Sequence, residues 1–394
     1  MTTQSAPSPQ AQSRIESIDW LRGMVMILML LDHARDFIHG GAFTGNPLDP
    51  ATTTPALYLT RWVTHLCAPT FVFLAGMSAR LQLLRGLCTR ALSRYLVTRG
   101  LFLVAVELLV LGPMMPLEPG FEPLAFLQVI WVLGWSMVIL GGLVHAPLWF
   151  VASFGALQVL LHNSLDWIEY GWPARTLDGA LWALLHQPNG IELGHSDRFA
   201  VVMYPLMPWV GVMALGFVAG RLFALEPARR RRLLVAMGSA AVLAFLTLRW
   251  INSYGDPIPW SALGSTDSPQ PWNATLSFFN VEKYPPSLLY LLITLGIALL
   301  VLAALEGRRF GRIQNVVLTL GRVPLFFYIL QWPLLMAIGW GLRALNGPAS
   351  SEGAGLGLPA VYLGWAAALI ASYPLCAAFA ALKRRKKAVW LSYL

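Results

Sequence analysis

Six residues near the start of the chain, Asp19, Arg22, Met26, Met29, His33 and Asp36, follow one another in steps of three and four. That spacing puts them on a single helix face. Asp36 sits one turn beyond His33, where a carboxylate can orient an imidazole for general-base work. Asp32, at i−4 from Asp36, and Arg35 complete the run Asp-His-Ala-Arg-Asp. At 1.5 Å per residue, Asp19 and Asp36 lie about 25 Å apart along the axis. The polar stripe therefore runs most of the length of its helix. His39, past the expected helix end, and His65, at the start of a second apolar stretch, are alternative imidazoles.

The surroundings explain why such a stripe matters. Of 394 residues, 57% are hydrophobic and 12% charged, about half the charged share of a soluble domain. This composition excludes a soluble multidomain enzyme, a disordered chain and a nucleic-acid-binding domain. Ten apolar stretches approach the ~20 residues needed to span a bilayer. They run approximately over 18–38, 62–83, 95–112, 125–144, 147–163, 200–221, 233–251, 284–305, 316–341 and 359–381. Leu177 to Leu185 is too short to span. The absence of sustained period-two alternation argues against a barrel. The expected fold class is all-α: a polytopic transmembrane bundle of about ten spans. Residues 1–13 read as a disordered tail, 14–382 as one membrane domain, and 383–394 as a basic tail.

Charge orients this bundle. Twenty of the 28 Lys and Arg fall at the first helix start, after the second, sixth and eighth spans, and in the tail, whereas the opposite loops hold 12 acids against 4 bases. By the positive-inside rule both termini are cytoplasmic. The net charge of +9 is thus an orientation signal. Cys67, Cys88 and Cys376 are few and far apart, with no metal-ligand spacing. Trp167, Trp172, Trp182, Trp260 and Trp272 sit in the outer loops, as an interfacial belt or as sugar-stacking rings.

Other groups fall at matching depths. Ser78, Arg80 and Arg322 lie toward the cytoplasmic side. Glu107, Gln128, Lys283 and Tyr284 lie toward the outer side, with Gln331 near mid-membrane. Ionisable groups inside a membrane are costly and mark functional paths. Two polar clusters, one at each mouth, are expected. From the residues alone, an enzyme that uses a buried general base, a proton- or ion-coupled transporter and a non-catalytic scaffold remain open. The transporter lacks the paired, Gly/Pro-broken halves of inverted repeats, and the scaffold leaves the stripe unexplained.

Several motifs resemble the membrane acetyltransferase family typified by heparan-α-glucosaminide N-acetyltransferase. They are Arg14-x-x-Ser17-x-Asp19-x-x-Arg22-Gly23 with Met29, and Pro69-x-Phe71-Val72-Phe73-x-x-Gly76-x-Ser78. The run Asp32 to Phe37, Lys283 to Ser287 and Gly321 to Pro324 match its bacterial branch. The resemblance covers about residues 14 to 340. It implies acetyl-CoA as donor substrate, with no permanently bound cofactor and no metal. Acetyl would pass to an amine or hydroxyl of an extracytoplasmic sugar or glycan, in a bacterial inner membrane. A homo-oligomer is compatible with it, and no nucleic-acid partner is implied. In this reading His33, Asp36, Asp32 and His65 are the catalytic candidates. Arg22, Ser78, Arg80 and Arg322 hold the donor, and Arg35, Lys283, Tyr284 and Gln331 meet the acceptor. A reporter fused after Leu394 is expected on the cytoplasmic side; an outer signal would remove the ten-span model.

Overall fold

The computed structural model describes residues 15–40, 46–49, 52–114, 123–193, 199–261, 272–308, 311–346, 356–386, 391 and 393. The expected tail over 1–13 lies outside the described residues. The chain begins with α1 (Glu16–Ile38). A second helical stretch consists of α2 (Pro55–Val63), a 3₁₀ turn over Thr64–Leu66 and α3 (Cys67–Leu84). Then come α4 (Thr89–Val106), β1 (Ala125–Leu127), α5 (Val129–Leu143), α6 (Leu148–Leu161) and α7 (Leu177–Leu185). β2 (Asn189–Glu192), β3 (Phe199–Val202), α8 (Trp209–Ala219), α9 (Pro227–Ile251) and α10 (Asn273–Phe279) follow. The chain continues through α11 (Leu288–Leu305), α12 (Gly311–Arg322), α13 (Pro324–Asn346) and α14 (Leu358–Arg385).

Seven helical segments among the described residues are long and apolar enough to cross a membrane; α5 and the stretch from α8 to Ala224 are apolar but shorter. The chain is therefore a mostly helical, multi-pass membrane protein. α1 has the length of a span, 23 residues, but carries Glu16, Asp19, Arg22, Asp32, Arg35 and Asp36.

Three expectations change at proline or strand signals. The stretch expected to be helical from residue 200 starts as β3, and Pro205 and Pro208 delay α8 until Trp209. The stretch from 125 begins as β1. With β3 between them, β1 pairs parallel and β2 antiparallel, forming a small three-stranded sheet beside the helices. The expected span over 316–341 is two helices, α12 and α13, parted at Val323. Proline disfavours helical geometry in the residue before it, and Pro324 opens the next helix. Leu177 to Leu185 forms the short helix α7, and the first residues of the expected basic tail, Lys383 to Arg385, belong to α14.

The helices meet through glycine. A Cβ on Gly23 of α1 would collide with the Val317 carbonyl of α12, and one on Gly321 with the Asp19 carbonyl of α1. The same reciprocal contact joins α3 to α8 at Gly76 and Gly216, and α4 to α5 at Gly100 and Gly134. Small residues let backbones approach where lipid provides no hydrophobic drive. α1 is the hub, packing on α3, α11, α12, α13 and α14.

Substituting Gly321 by Leu is expected to cost about 1–3 kcal/mol by overpacking, read as a lower thermal midpoint of the detergent-purified protein. Gly341→Leu, where an added Cβ meets nothing within 4 Å, should leave the midpoint unchanged. Equal melting of the two variants would contradict the close α1–α12 crossing.

Candidate active site

The stripe on α1 lines a cavity of about 970 Å³, bordered by Asp19, Arg22, Met26, Met29, His33 and Asp36 in succession. A buried helix face with this pattern is expensive unless each charge is matched, and the two ends solve the problem differently.

At the N-terminal end of α1, Arg22 ties three helices together. Its guanidinium donates to Asp19 Oδ1 at 3.0 Å, to Ser78 Oγ of α3 at 2.9 Å and to the Gly321 carbonyl of α12 at 3.3 Å. Arg322 approaches the other Asp19 oxygen at 3.9 Å. Arg85, Arg99 and Lys383 border the same end, so it is strongly basic.

At the other end, Arg61 of α2 grips both Asp32 oxygens, at 2.7 and 2.6 Å. Arg35 meets Asp36 at 2.5 Å and Asp32 at 3.6 Å. Two carboxylates and two guanidiniums thus form one network with no net charge. Arg61 is held in turn by Thr64, at the 3₁₀ turn that follows α2. The buried Lys283 has its Nζ 5.0 Å from the Tyr284 ring centre, and Tyr284 packs edge-on against Tyr204.

His33 sits beside this network, with its ring 4.9 Å from Trp332 and 5.7 Å from Tyr328, both on α13. The expected orienting bond from Asp36 is replaced: the Asp36 carboxylate pairs with Arg35, and His33 Nδ1 makes no hydrogen bond of ordinary geometry among the described residues. Aromatic packing positions the imidazole instead. His65, one turn after Arg61, also borders the cavity. Its carbonyl accepts from Tyr290 Oη at 2.9 Å, while neither ring nitrogen is bonded among the described residues.

The loop carrying Lys283 is built on buried polar contacts. Asp256 accepts from Ser287 Oγ at 2.8 Å and from the Glu282 amide at 3.0 Å; Glu282 accepts from the amides of Lys283 and Tyr284 at 2.9 and 2.8 Å. Burial pushes both carboxyls above the usual carboxylate range, against the pull of those amides. Arg249 anchors the loop by donating to the carbonyls of Ser277, Phe278, Asn280 and Ile258.

The cavity therefore brings together Arg22, Ser78 and Arg322 at one end and Asp32, His33, Arg35, Asp36, His65, Lys283 and Tyr284 at the other. Two candidates stand apart. Arg80 turns to the Phe217 ring, 5.3 Å away, and does not border the cavity. Gln331 is fully buried behind the wall, next to His33. His39 lies past the end of α1, beside Leu356. Glu107 accepts from the Trp131 amide at 3.2 Å and serves the start of α5. The five outer-loop tryptophans do not border the cavity; Trp182 and Trp260 fasten loops through indole bonds to the carbonyls of Ile168 and Arg249.

Sequence reasoning passed over Arg61, which falls just before the expected second span. Its spacing of four from His65 is the signal that places the two on one face. Arg85, Arg99 and Lys383 were legible only as orientation charges.

A family model described as heparan-alpha-glucosaminide N-acetyltransferase, catalytic, matches residues 14–251. No curated protein matches the chain.

Removing one partner of a buried ion pair strands the other, which typically costs 3–5 kcal/mol. Arg61→Ala is thus expected to lower the thermal midpoint sharply, and Arg61→Gln combined with Asp32→Asn should recover most of the loss. A wild-type midpoint for Arg61→Ala would show that the pair carries little stability.

Proposed function

The chain belongs to the heparan-alpha-glucosaminide N-acetyltransferase family of membrane acetyltransferases, and on that premise we propose that it transfers acetyl from cytoplasmic acetyl-CoA to an amine or hydroxyl of an extracytoplasmic sugar. The observation that carries this reading is the cavity that follows α1, with basic groups at one end and His33 at the other. Such a shape suits an elongated donor with phosphates at one end and a thioester at the other.

In this reading Arg22, Arg85, Arg99 and Arg322 face the CoA phosphates through charge-assisted bonds. The pantetheine arm follows the apolar middle, past Met26 and Met29, and presents the thioester near His33. The acceptor enters beside Lys283 and Tyr284. His33 takes a proton from the acceptor as its nitrogen or oxygen attacks the thioester carbonyl. The new C–N or C–O bond forms, the C–S bond breaks, and the CoA thiolate leaves and is protonated. Asp32, Asp36, Arg35 and Arg61 keep the outer end polar without net charge, and Gln331 supports the imidazole from behind. Transient acylation of His33 or His65 would use the same wall.

We assign the basic end to the cytoplasm and read ten spans with both termini inside, in a bacterial inner membrane, with residues 14–382 as one domain. The positive-inside distribution supports this orientation. Membership of an acetyltransferase family does not favour the transporter reading.

Purified protein incubated with radiolabelled acetyl-CoA is expected to bind it and to hydrolyse or transfer the label. His33→Ala should reduce turnover by about 10² or more, the contribution typical of a general base, while retaining binding. Absence of acetyl-CoA binding and turnover in the wild-type protein would falsify the donor assignment; unchanged turnover in His33→Ala would move catalysis elsewhere, with His65→Ala the next variant to measure.

A further inference from the structure

The short helix α7 turns an apolar face outward. Leu177, Leu181 and Leu185 recur every four residues and are 77%, 50% and 40% exposed, while Gly179 and Ala183 on the opposite face are buried. The end of α6 sets the level at which this face lies. The ring of His186, which follows α7, is 5.8 Å from that of His162, which follows α6, and its Nε2 lies 2.9 Å from Asp166 Oδ1. Tyr170 Oη donates to Asp178 of α7 at 2.9 Å, and the Trp182 indole donates to the Ile168 carbonyl at 2.9 Å. α6 opens one of the membrane-crossing segments and turns Leu157, Leu160 and Leu161 outward, toward lipid. The leucines of α7 are therefore held where that lipid-facing surface ends. Trp167 and Trp172, both exposed, stand on the connection between the two helices.

We propose that α7 lies flat in the membrane–water interface at the His33 end of the bundle, with its leucine stripe in the acyl region of the bilayer. Nine residues rise about 13 Å, less than half of a ~30 Å hydrocarbon core, so α7 cannot cross it. A short helix with leucines on one face gains by burying that face just below the headgroups, each fully buried leucine being worth about 1.5–3 kcal/mol. Tryptophan rings beside it suit the same depth, with one part apolar and one part wet. A second copy of the chain is the other apolar cover for such a face, but continuity with the lipid-facing side of α6 favours the bilayer. The placement bears on the cavity. The amides of Leu206 and Met207 donate to the Leu184 and Leu185 carbonyls of α7, both at 2.8 Å, and Met203 and Tyr204 just before them border the cavity. The interfacial helix is thus tied through backbone bonds to the wall beside Tyr284. This inference needs only the multi-pass fold and stands apart from the acetyl-CoA reading.

Nitroxide labels test this on the full chain in phosphatidylcholine vesicles. Leu177→Cys, Leu181→Cys and Leu185→Cys are labelled one at a time in a Cys88→Ser background, since Cys88 is exposed and Cys67 and Cys376 are buried. Collision rates with oxygen, which concentrates in lipid, and with a nickel chelate, which stays in water, report the depth. The otherwise unaltered chain labelled at Cys88 serves as the water reference. All three α7 labels are expected about 5–10 Å below the headgroups and at nearly equal depth. Each label reads independently, so a variant that fails to fold leaves the others to decide. Nickel accessibility equal to that at Cys88 would place α7 in water and overturn the proposal. A depth difference near 12 Å between positions 177 and 185, the rise over eight residues, would mean that α7 dips along the membrane normal, and also overturns it. Protection from both reagents overturns it too, and spin–spin broadening that vanishes on dilution with unlabelled protein would assign the stripe to a second copy.

Discussion

A carboxylate in the last third of a membrane helix can persist only where its charge is balanced on the spot, and Arg61 balances Asp32. The rest of the outer end is arranged around that bond. Arg61 must come from a different helix, so α2 is brought against α1, and a 3₁₀ turn at Thr64–Leu66 joins it to α3. The second guanidinium, Arg35, is then available to Asp36, which takes it in preference to the imidazole. His33 is left packed against aromatic rings at the edge of the ion-pair network rather than bonded to a carboxylate.

The opposite end follows a different logic. There one carboxylate among the described lining residues, Asp19, stands among Arg22, Arg85, Arg99, Arg322 and Lys383. Arg22 also holds α1, α3 and α12 together. Glycine contacts make such short bonds possible, because Gly23 and Gly321 allow α1 and α12 to touch backbone to backbone just where Asp19 and Arg22 reach across. An excess of positive charge facing a shared space is stable only near water or an anion. One end of the cavity pairs its carboxylates and guanidiniums at close range, and the other gathers cations around Asp19.

How much of this could be read from the residues depends on the range of the interaction. The stripe from Asp19 to Asp36 was legible because helical periodicity alone sets its face, and the cavity follows it residue by residue. Lys283, Tyr284 and Arg322 were placed by matching depth along neighbouring spans, which hydropathy conveys. Arg80 was misleading because depth gives no azimuth: two residues from Ser78, it faces α8 and rests on Phe217. Arg61 was hidden by its position just before an apolar run, where averaging assigns it to a loop. The sheet escaped notice because strands of three and four residues are too short to show an alternation.

The break at Val323 also matters mechanically. An unbroken helix from residue 311 to 346 would be a stiff rod, and any displacement of its inner half would be delivered to its outer half. Two rods with a joint between them behave otherwise. α12 is locked to α1 by Gly23 and Gly321, while α13 carries Tyr328 and Trp332 against His33. The single irregular residue Val323 therefore separates the part of the wall that is tied to α1 from the part that carries the rings around the imidazole.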